Sequence, residues 1–421
     1  MVSDESKIVW SEDGEMRSAR WRSESGARPP KRIVIADDTM TADAAYRLAC
    51  EGTAMLWRGD FHNARQLLQA MARRIDRKRG NAEKGGKAGK VANAARKAGR
   101  ATAASGEVPA TATLSISAVP SATAGGANAP TEAFHLHRQA QAQRARTLGM
   151  LLLPFEADYG IPLRRAPDVR QACEEAYGPP AEPFVASLRE LLGLVGAHEW
   201  RKKGVAIPAL GARIHPHYGV FSPLRGEYVD LVAQAPLPPG ADELAFDVGT
   251  GTGVLAAVLA RRGVARVVAT DQDARALACV RENVARLGLD RQVEVVEADL
   301  FPAGRAPLVV CNPPWVPARP SAPIEHAIYD PDSRMLRGFL GGLAAHLAPG
   351  GEGWLLLSDL AEHLGLRPRG ELLGLIEAAG LHVVGRLDAR PQHPRAADAD
   401  DPLHAARAAE VTSLWRLASR G

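Results

Sequence analysis

A regular alternation of strand and helix patterns after Pro239-Gly240 constrains the fold of this chain most strongly. Short apolar runs predict strands at 244–248, 267–270, 293–297, 308–310, 353–358, 381–387 and 411–416. Between them, longer periodic segments predict helices from Val254, over 274–287, ending near Leu347, and over 370–379. Because a crossover helix returns the chain to start another parallel strand, this order predicts an α/β fold with a doubly wound, mostly parallel sheet of seven strands.

The 421 residues also leave room for regions ahead of this sheet, and we predict them to be helical where ordered. The charged residues 1–35 are predicted to be disordered. Residues 36–79 are predicted to form a helical hairpin, with helices at 43–58 and 60–79. Residues 131–204 are predicted to form a helical accessory domain, with helices at 132–150, 166–177 and 182–195. The α/β domain then occupies residues 205–421.

The predicted linker at 80–130 is first rich in Lys, Gly and Ala and then in Ala, Thr, Ser, Gly and Pro. Such segments bury too little apolar surface to offset their ordering entropy. Residues 72–100 hold eleven Lys and Arg against two Asp and Glu. This basic segment could contact a polyanion such as nucleic acid, and a merely solubilising tether is an equally good interpretation.

Several function classes are disfavoured by composition. No apolar run approaches the ~18 residues of a membrane span, and the start of the chain lacks the apolar core of a secretory signal, so we expect a cytoplasmic protein without a membrane partner. Four scattered cysteines form no Cys-x-x-Cys pair. The two His-x-His pairs, at 135–137 and 215–217, lack further ligands at metal spacing, so no metal site is expected.

A glycine-rich loop follows the first strand of the predicted sheet. Phe246-Asp-Val-Gly-Thr-Gly-Thr-Gly253 leads directly into the apolar helix that begins at Val254. Gly249, Gly251 and Gly253 allow a tight turn and a close approach of the backbone to a ligand. The same loop would satisfy a dinucleotide fingerprint, so a nicotinamide-dependent oxidoreductase is an alternative.

Three aspartates follow the strands at positions suited to an adenosyl cofactor. Asp247 lies two residues before the first glycine, where its carboxylate could receive a cationic amino group directly or through water. Asp271 ends the second strand, in the place from which an acid bonds ribose hydroxyls. Asp299 ends the third strand and is positioned to bond an adenine amino group. Together they favour S-adenosyl-L-methionine as the cofactor.

The segment Val309-Val-Cys-Asn-Pro-Pro-Trp315 ends the fourth strand, beside the first. With the glycine loop and the acids in order over about 200 residues, it resembles class I S-adenosylmethionine-dependent methyltransferases bearing an Asn-Pro-Pro-aromatic motif. That group includes amino-methylating enzymes of nucleic acids and the HemK/PrmC glutamine methyltransferases of release factors. The resemblance implies a Rossmann-like methyltransferase domain over 205–421.

The chemistry of a planar nitrogen explains these residue types. The lone pair of an amide or exocyclic base nitrogen is delocalised, so the nitrogen must be held in place for attack on a sulfonium methyl. The side chain of Asn312 and the carbonyl of Pro313 could accept its two hydrogens, while Pro314 stiffens the loop and Trp315 stacks on the planar group. Positioning of this kind can contribute ~7 to 11 kcal/mol.

Upstream, His217-Tyr-Gly-Val-Phe-Ser-Pro-Leu-Arg-Gly-Glu-Tyr228 is similar to the segment that enters the catalytic domain in these families and lies over the cofactor. By this resemblance, Phe221 and Glu227 are further candidate cofactor contacts.

The methyl acceptor stays open at this point. Trp315 and the basic segment favour a base of a nucleic acid, RNA more than DNA. The closeness to the release-factor enzymes favours a protein glutamine, although those enzymes usually have Tyr where this chain has Trp315. A degenerate, non-enzymatic binding module is a third reading, and the intact motifs argue against it. On balance the sequence favours RNA slightly, with protein glutamine close behind.

Overall fold

The computed structural model describes residues 7–77, 129–320, 325, 327–391, 398 and 401–420. Its strands are β1 Lys7–Glu12, β2 Glu15–Trp21, β3 Arg32–Ala36, β4 Thr53–Trp57, β5 Leu151–Phe155, β6 Phe184–Ser187, β7 Val205–Ile207, β8 Ala212–Ile214, β9 Leu244–Val248, β10 Arg266–Asp271, β11 Val293–Glu297, β12 Ala306–Cys311, β13 Leu347–Ser358, β14 Leu381–Ala389 and β15 Thr412–Ser419.

The helices lie between and beside these strands. They are α1 Ala42–Cys50, α2 61–77, α3 Ala129–Leu148, α4 Arg170–Tyr177, α5 Leu188–Lys203, α6 Glu227–Gln234, α7 Val254–Arg261, α8 Ala274–Leu287, α9 Arg334–His346, α10 Leu360–His363, α11 Glu371–Ala378 and α12 His404–Ala409.

The predicted seven-stranded sheet is confirmed. Its strand order is β11-β10-β9-β12-β13-β15-β14, and every neighbouring pair is parallel except the two that involve β15. Strand order reverses between β9 and β12, because the chain first builds outward through β10 and β11 and then returns to the other side of β9. In open α/β sheets, ligands bind at the carboxyl ends of the strands beside such a reversal.

Alternating side chains of the central strands pack on the two faces of this sheet. Leu308 and Val310 of β12 join a core with helices α6, α7 and α8, whereas Val309 and Cys311 join a second core with α9 and α11. Both faces are therefore apolar, as expected of strands buried between two helix layers. The buried strands fix the position of the loops that follow them.

The N-terminal region also contains a sheet, which the sequence analysis did not predict. Six strands lie in the order β1-β2-β6-β5-β4-β3, with β3, β4 and β5 parallel. The prediction of disorder over 1–35 is wrong for residues 7–35, where β1, β2 and β3 lie. Asp13 and Gly14 both have positive φ, the geometry of a tight hairpin turn, and Ile8 and Trp10 alternate inward along β1.

Two regions that were predicted to be helical also contain strands. The helix predicted at 43–58 ends at Cys50, and Gly52, with a φ of 76°, turns the chain into β4, all of whose residues are buried. A strand buried on both faces has no alternation, which is why its apolar run resembled a helix. The second predicted helix, 60–79, corresponds to α2. The accessory domain at 131–204 likewise contains β5 and β6 besides α3, α4 and α5.

Most of the predicted linker at 80–130 and most of the basic segment at 72–100 lie outside the described residues. Within the described part of the chain, the helices are too short or too polar to cross a lipid bilayer.

Candidate active site

The glycine loop connects β9 to α7 as predicted, and its backbone requires glycine. The φ values are 70° at Gly249, 56° at Gly251 and 81° at Gly253, all in the left-handed region. A Cβ on Gly253 would lie 2.5 Å from Cγ2 of Val280, so α8 packs directly against the loop. A Cβ on Gly251, in contrast, would meet nothing within 4 Å. The loop is therefore packed on one side and open beside Gly251.

Asp247 connects the glycine loop to the first turn of α7. Its Oδ2 accepts hydrogen bonds from the Thr250 hydroxyl at 2.7 Å and from the Ala256 amide at 3.0 Å. The side chain is almost fully buried, and burial raises the pKa of Asp247 to about 6, against the opposing effect of the two hydrogen bonds. A buried carboxylate of this kind is stabilised by a nearby cation.

Asp271 lies at the end of β10, next to the loop. One carboxylate oxygen accepts from the Gly251 amide at 3.0 Å and the other accepts from the Asp273 amide at 3.0 Å. Burial raises the pKa of Asp271 above its usual range. The structure thus places Asp247 and Asp271 on two neighbouring strands, each bonded to the glycine loop.

Asp299 differs from these two aspartates because its side chain is exposed. It follows β11 as predicted, but its side chain is 68% exposed and faces Arg334 of α9 across 3.6 Å. The structure leaves its predicted contact with an adenine group untested.

Glu227 begins α6 and is buried, with 8% of the residue exposed. Its Oε1 has no hydrogen-bond partner and lies 3.4 Å from Nε of Arg225. Phe221, six residues earlier, is partly buried against the core that contains α6 and α7. This oxygen makes an ion pair with Arg225 but no hydrogen bond, so it keeps the capacity to accept one from a bound cationic group.

The Asn-Pro-Pro-Trp motif lies beside this loop because of strand register. In the parallel pair of β12 and β9, Val310 is opposite Asp247 and Cys311 is opposite Val248. Asn312 therefore follows β12 at the level where Gly249 follows β9. The indole N–H of Trp315 donates to Oδ1 of Asn312 at 2.9 Å, so the two predicted catalytic side chains contact each other.

Arg225, Glu410 and Ser358 form a network next to Trp315 that the sequence analysis missed. Arg225 donates two hydrogen bonds to Glu410, at 2.9 and 2.8 Å, and its Cζ lies 5.4 Å from the centre of the Trp315 ring. Glu410 also accepts from the Ser358 hydroxyl at 2.6 Å. The members lie up to 185 residues apart in sequence and follow no recognisable spacing.

Asn283 of α8 is another missed residue. Its buried side chain accepts from the His215 amide at 2.8 Å and donates to the Thr252 carbonyl at 3.0 Å. It thereby joins the upstream segment to the glycine loop. The sequence shows that Asn283 lies in the helix after β10, but only the structure shows which groups it binds.

A cleft of about 500 Å³ is lined in part by Pro317, which follows Trp315 by two residues in the sequence. Its lining combines two acids and two arginines with apolar groups: Pro317, Asp332, Ser333, Arg337, Leu366, Arg367 and Glu371. Arg337 and Glu371 form an ion pair at 2.6 Å. The lining is therefore mixed in charge and carries no excess of cations.

Helix α3 covers the loop that follows the motif. Phe134 is buried with Val316, Leu364 and Leu403. Arg138 donates to the Arg319 carbonyl at 2.6 Å, and its guanidinium lies 4.1 Å from the ring centre of Tyr329. The N-terminal region thus contributes a wall to the surroundings of Trp315.

Part of the chain is similar in sequence to known proteins. Residues 211–362 match the family model described as the methyltransferase small domain. A ribosomal protein L11 methyltransferase of Pelotomaculum thermopropionicum is 37% identical over 143 residues, which are 34% of this chain and 39% of that protein. A release factor glutamine methyltransferase of Deinococcus radiodurans is 40% identical over 119 residues, which are 25% of this chain and 42% of that protein.

The matched region spans less than half the length of either relative. Among solved structures, that of a ribosomal protein L11 methylase from Lactobacillus delbrueckii subsp. bulgaricus aligns over 49% of this chain and 86% of that chain, at 16% identity and a TM-score of 0.34.

Proposed function

We propose that this chain, whose residues 211–362 match the methyltransferase small-domain model, transfers a methyl group from S-adenosyl-L-methionine to a planar nitrogen of a protein side chain. The observation that carries the proposal is the register that puts Asn312-Pro-Pro-Trp315 at the carboxyl end of β12, level with the glycine loop after β9. A methyl donor bound on the loop and an acceptor held by the motif would lie side by side at the reversal of strand order.

The residues present fit an adenosylmethionine. The cofactor would supply a methyl group made electrophilic by a sulfonium centre. Glu227 has a buried carboxylate oxygen without a hydrogen bond, and Asp247 is a second buried acid, so both suit a cationic amino group. Gly251 leaves open space for a ligand beside the backbone. Asp271, Asp299 and Phe221 are the further residues that we assign to this site.

The acceptor nitrogen needs its hydrogens held. Oδ1 of Asn312 has two lone pairs and uses one for the indole N–H of Trp315, so a second donor can bind there. The Pro313 carbonyl would accept the other hydrogen, and the Trp315 ring would lie against the planar group. Held in this way, the nitrogen would direct its lone pair at the methyl group that the cofactor would supply, and the proton it gives up would pass to water.

Protein is favoured over nucleic acid by two observations. The named relatives are methyltransferases of ribosomal protein L11 and of release-factor glutamine, both protein acceptors. The cleft beyond Trp315 balances Asp332 and Glu371 against Arg337 and Arg367, whereas a nucleic-acid surface carries an excess of cations. The slight preference for RNA drawn from the sequence therefore gives way to a protein amide, with glutamine the first candidate.

RNA is the second candidate, on the strength of Trp315. A large aromatic ring stacks on any base, and base–aromatic stacking contributes about 1–3 kcal/mol per base. The basic segment at 72–100 would be the contact for the phosphate backbone.

The test uses the purified full chain with methyl-labelled adenosylmethionine and separate pools of release factors, ribosomal proteins, ribosomal RNA, transfer RNA and DNA. We expect label in a protein pool, lost in Asn312→Ala and kept in Asn63→Ala, the matched asparagine at the edge of the other sheet. Mass spectrometry of the labelled peptide then identifies the nitrogen.

Label that appears in RNA alone would replace the protein acceptor with a base. Cofactor binding without transfer to any pool would overturn the proposal and favour the binding module. Failure to bind adenosylmethionine, together with binding of NADH, would support the oxidoreductase alternative.

A further inference from the structure

Trp315 is held by two contacts of different kinds. Its indole N–H donates to Asn312, and its ring lies against the guanidinium of Arg225, whose Cζ is 5.4 Å from the ring centre. A cation within about 6 Å of an indole centre attracts the ring. The first contact fixes the edge of the ring and the second acts on its π system, so together they restrict how the ring can turn.

Arg225 is itself rigidly anchored. Its two parallel hydrogen bonds go to Glu410, whose side chain is fully buried. Ser358, at the end of β13, donates to the same carboxylate, and Glu410 lies two residues before the strand β15 that pairs with β13. Bidentate pairing of an arginine with a carboxylate fixes the plane of the guanidinium as well as its position. The anchor therefore comes from two strand ends outside the motif.

Arg225 also faces the candidate cofactor carboxylate, with its Nε 3.4 Å from Oε1 of Glu227. One guanidinium thus serves two buried glutamates and one indole ring. Removing Glu410 would free Arg225 to turn toward Glu227 and away from Trp315, because a buried cation moves to the carboxylate that remains.

We propose that Arg225 is a positioning residue for methyl transfer, held over Trp315 by Glu410. The proposal rests on the proposed function of Trp315 as the surface against which the acceptor lies. Arg225 acts through the ring: it sets the plane of the indole and so the plane of the acceptor nitrogen. Glu410 and Ser358 are the supports that hold it.

The variant Glu410→Gln tests this, because it keeps the shape and an acceptor for Ser358 while it removes the charge that anchors Arg225. The matched control is Glu352→Gln. Glu352 makes the same bidentate pair with Arg416, at 2.8 and 2.6 Å, and accepts from the indole of Trp354. Both variants therefore lose one carboxylate that anchors an arginine and lies near a tryptophan, Trp315 in the loop after β12 or Trp354 in β13.

The first readout is independent of activity: the indole N–H signals of the seven tryptophans in nitrogen-15 NMR spectra. Trp315 is assigned by its disappearance in Trp315→Phe. We expect Glu410→Gln to shift the Trp315 signal and leave the Trp354 signal in place, and Glu352→Gln to do the reverse. An unmoved Trp315 signal in folded Glu410→Gln would overturn the proposal.

The second readout is methyl transfer. We expect Glu410→Gln to lower kcat about tenfold, and to have no further effect in a Trp315→Phe background, since coupled residues are not additive. Additive losses would show that Glu410 acts independently of Trp315 and would overturn the proposal. If the wild-type chain transfers no methyl group, the proposed function fails, while the NMR result still decides whether Arg225 positions the ring.

Discussion

The two sheets of this protein both present polar residues at the carboxyl ends of parallel strands, yet they differ in how those residues are satisfied. In the first sheet, Asp38 follows β3 and Asp60 follows β4. Asp38 accepts from the Asp60 amide and from Asn63, and Asp60 pairs with Arg165 at 2.6 Å. Both acids are therefore bound by groups of the protein itself.

At the corresponding edge of the second sheet, protein groups bind the acids less completely. Glu227 has a buried oxygen that makes an ion pair with Arg225 but no hydrogen bond, Gly251 faces open space, and burial raises the pKa of Asp247. Protein groups bind both acids of the first edge, whereas Glu227 beside the second edge keeps the capacity to accept a further hydrogen bond. Strand ends alone therefore do not make a site, and the unmet bonding capacity is what distinguishes the two edges.

The largest effect expected from this comparison is on transfer itself. Asn312→Ala removes the acceptor that would hold the reacting nitrogen, and we expect kcat to fall about a thousandfold while adenosylmethionine still binds. Asn63→Ala, at the edge of the first sheet, should leave kcat within about twofold. Initial rates with labelled cofactor measure both. Equal losses in the two variants would show that the edges do not differ in function.

Two glycines, one beside each sheet, allow the two regions to be compared in their effect on the free energy of unfolding. Gly253 and Gly52 both have left-handed φ values, 81° and 76°, but an added Cβ meets Val280 at 2.5 Å in the first case and open space in the second. We expect Gly253→Ala to lower the free energy of unfolding by about 3 kcal/mol and Gly52→Ala by about 1 kcal/mol. Denaturant unfolding measures both. Similar losses would mean that α8 yields easily to the loop.

Glutamate and aspartate variants compare the two edges in binding. Glu227→Gln removes the buried charge assigned to the cofactor amino group, so the adenosylmethionine Kd should rise about thirtyfold, as for loss of one hydrogen bond to a charged group. Asp60→Asn should leave that Kd unchanged and lower the melting temperature, since its partner Arg165 belongs to the fold. Calorimetric titration gives both constants. An unchanged Kd in Glu227→Gln would remove Glu227 from the site.

The smallest expected effect is a dependence on pH. Burial raises the pKa of Asp247 to about 6, so this carboxyl becomes protonated as the pH falls through 6 and loses its attraction for a cation. Adenosylmethionine affinity should fall about tenfold from pH 7 to pH 5, and Asp247→Asn should flatten that profile. Hydrogen bonds from the Asp60 amide to Asp38 and from Arg165 to Asp60 lower the pKa of both acids, so neither titrates in this range. A wild-type profile that stays flat would argue against Asp247 as a partner of the cofactor.

The second sheet was predictable because its signals are local. The strands β9 and β11 and the helix α8 have the predicted bounds, since a short apolar run or a periodic face lies within one segment. The first sheet was not predictable in the same way. Its strand β4 is buried throughout, so its sequence does not alternate between apolar and polar residues. The β1–β2 hairpin lies in a charged segment, and its turn is formed by Asp13 and Gly14.

For the candidate site, the sequence by itself located the residues that lie in one loop or at strand ends: the three glycines, Asp247 and Asp271, and the Asn-Pro-Pro-Trp motif. Only the tertiary structure decided which distant side chains complete it. Arg225 joins Glu410 across 185 residues, and Asn283 joins His215 across 68. Local conformation is encoded by neighbours in the chain, whereas hydrogen-bond partners between elements depend on packing, which brings together residues with no sequence spacing in common.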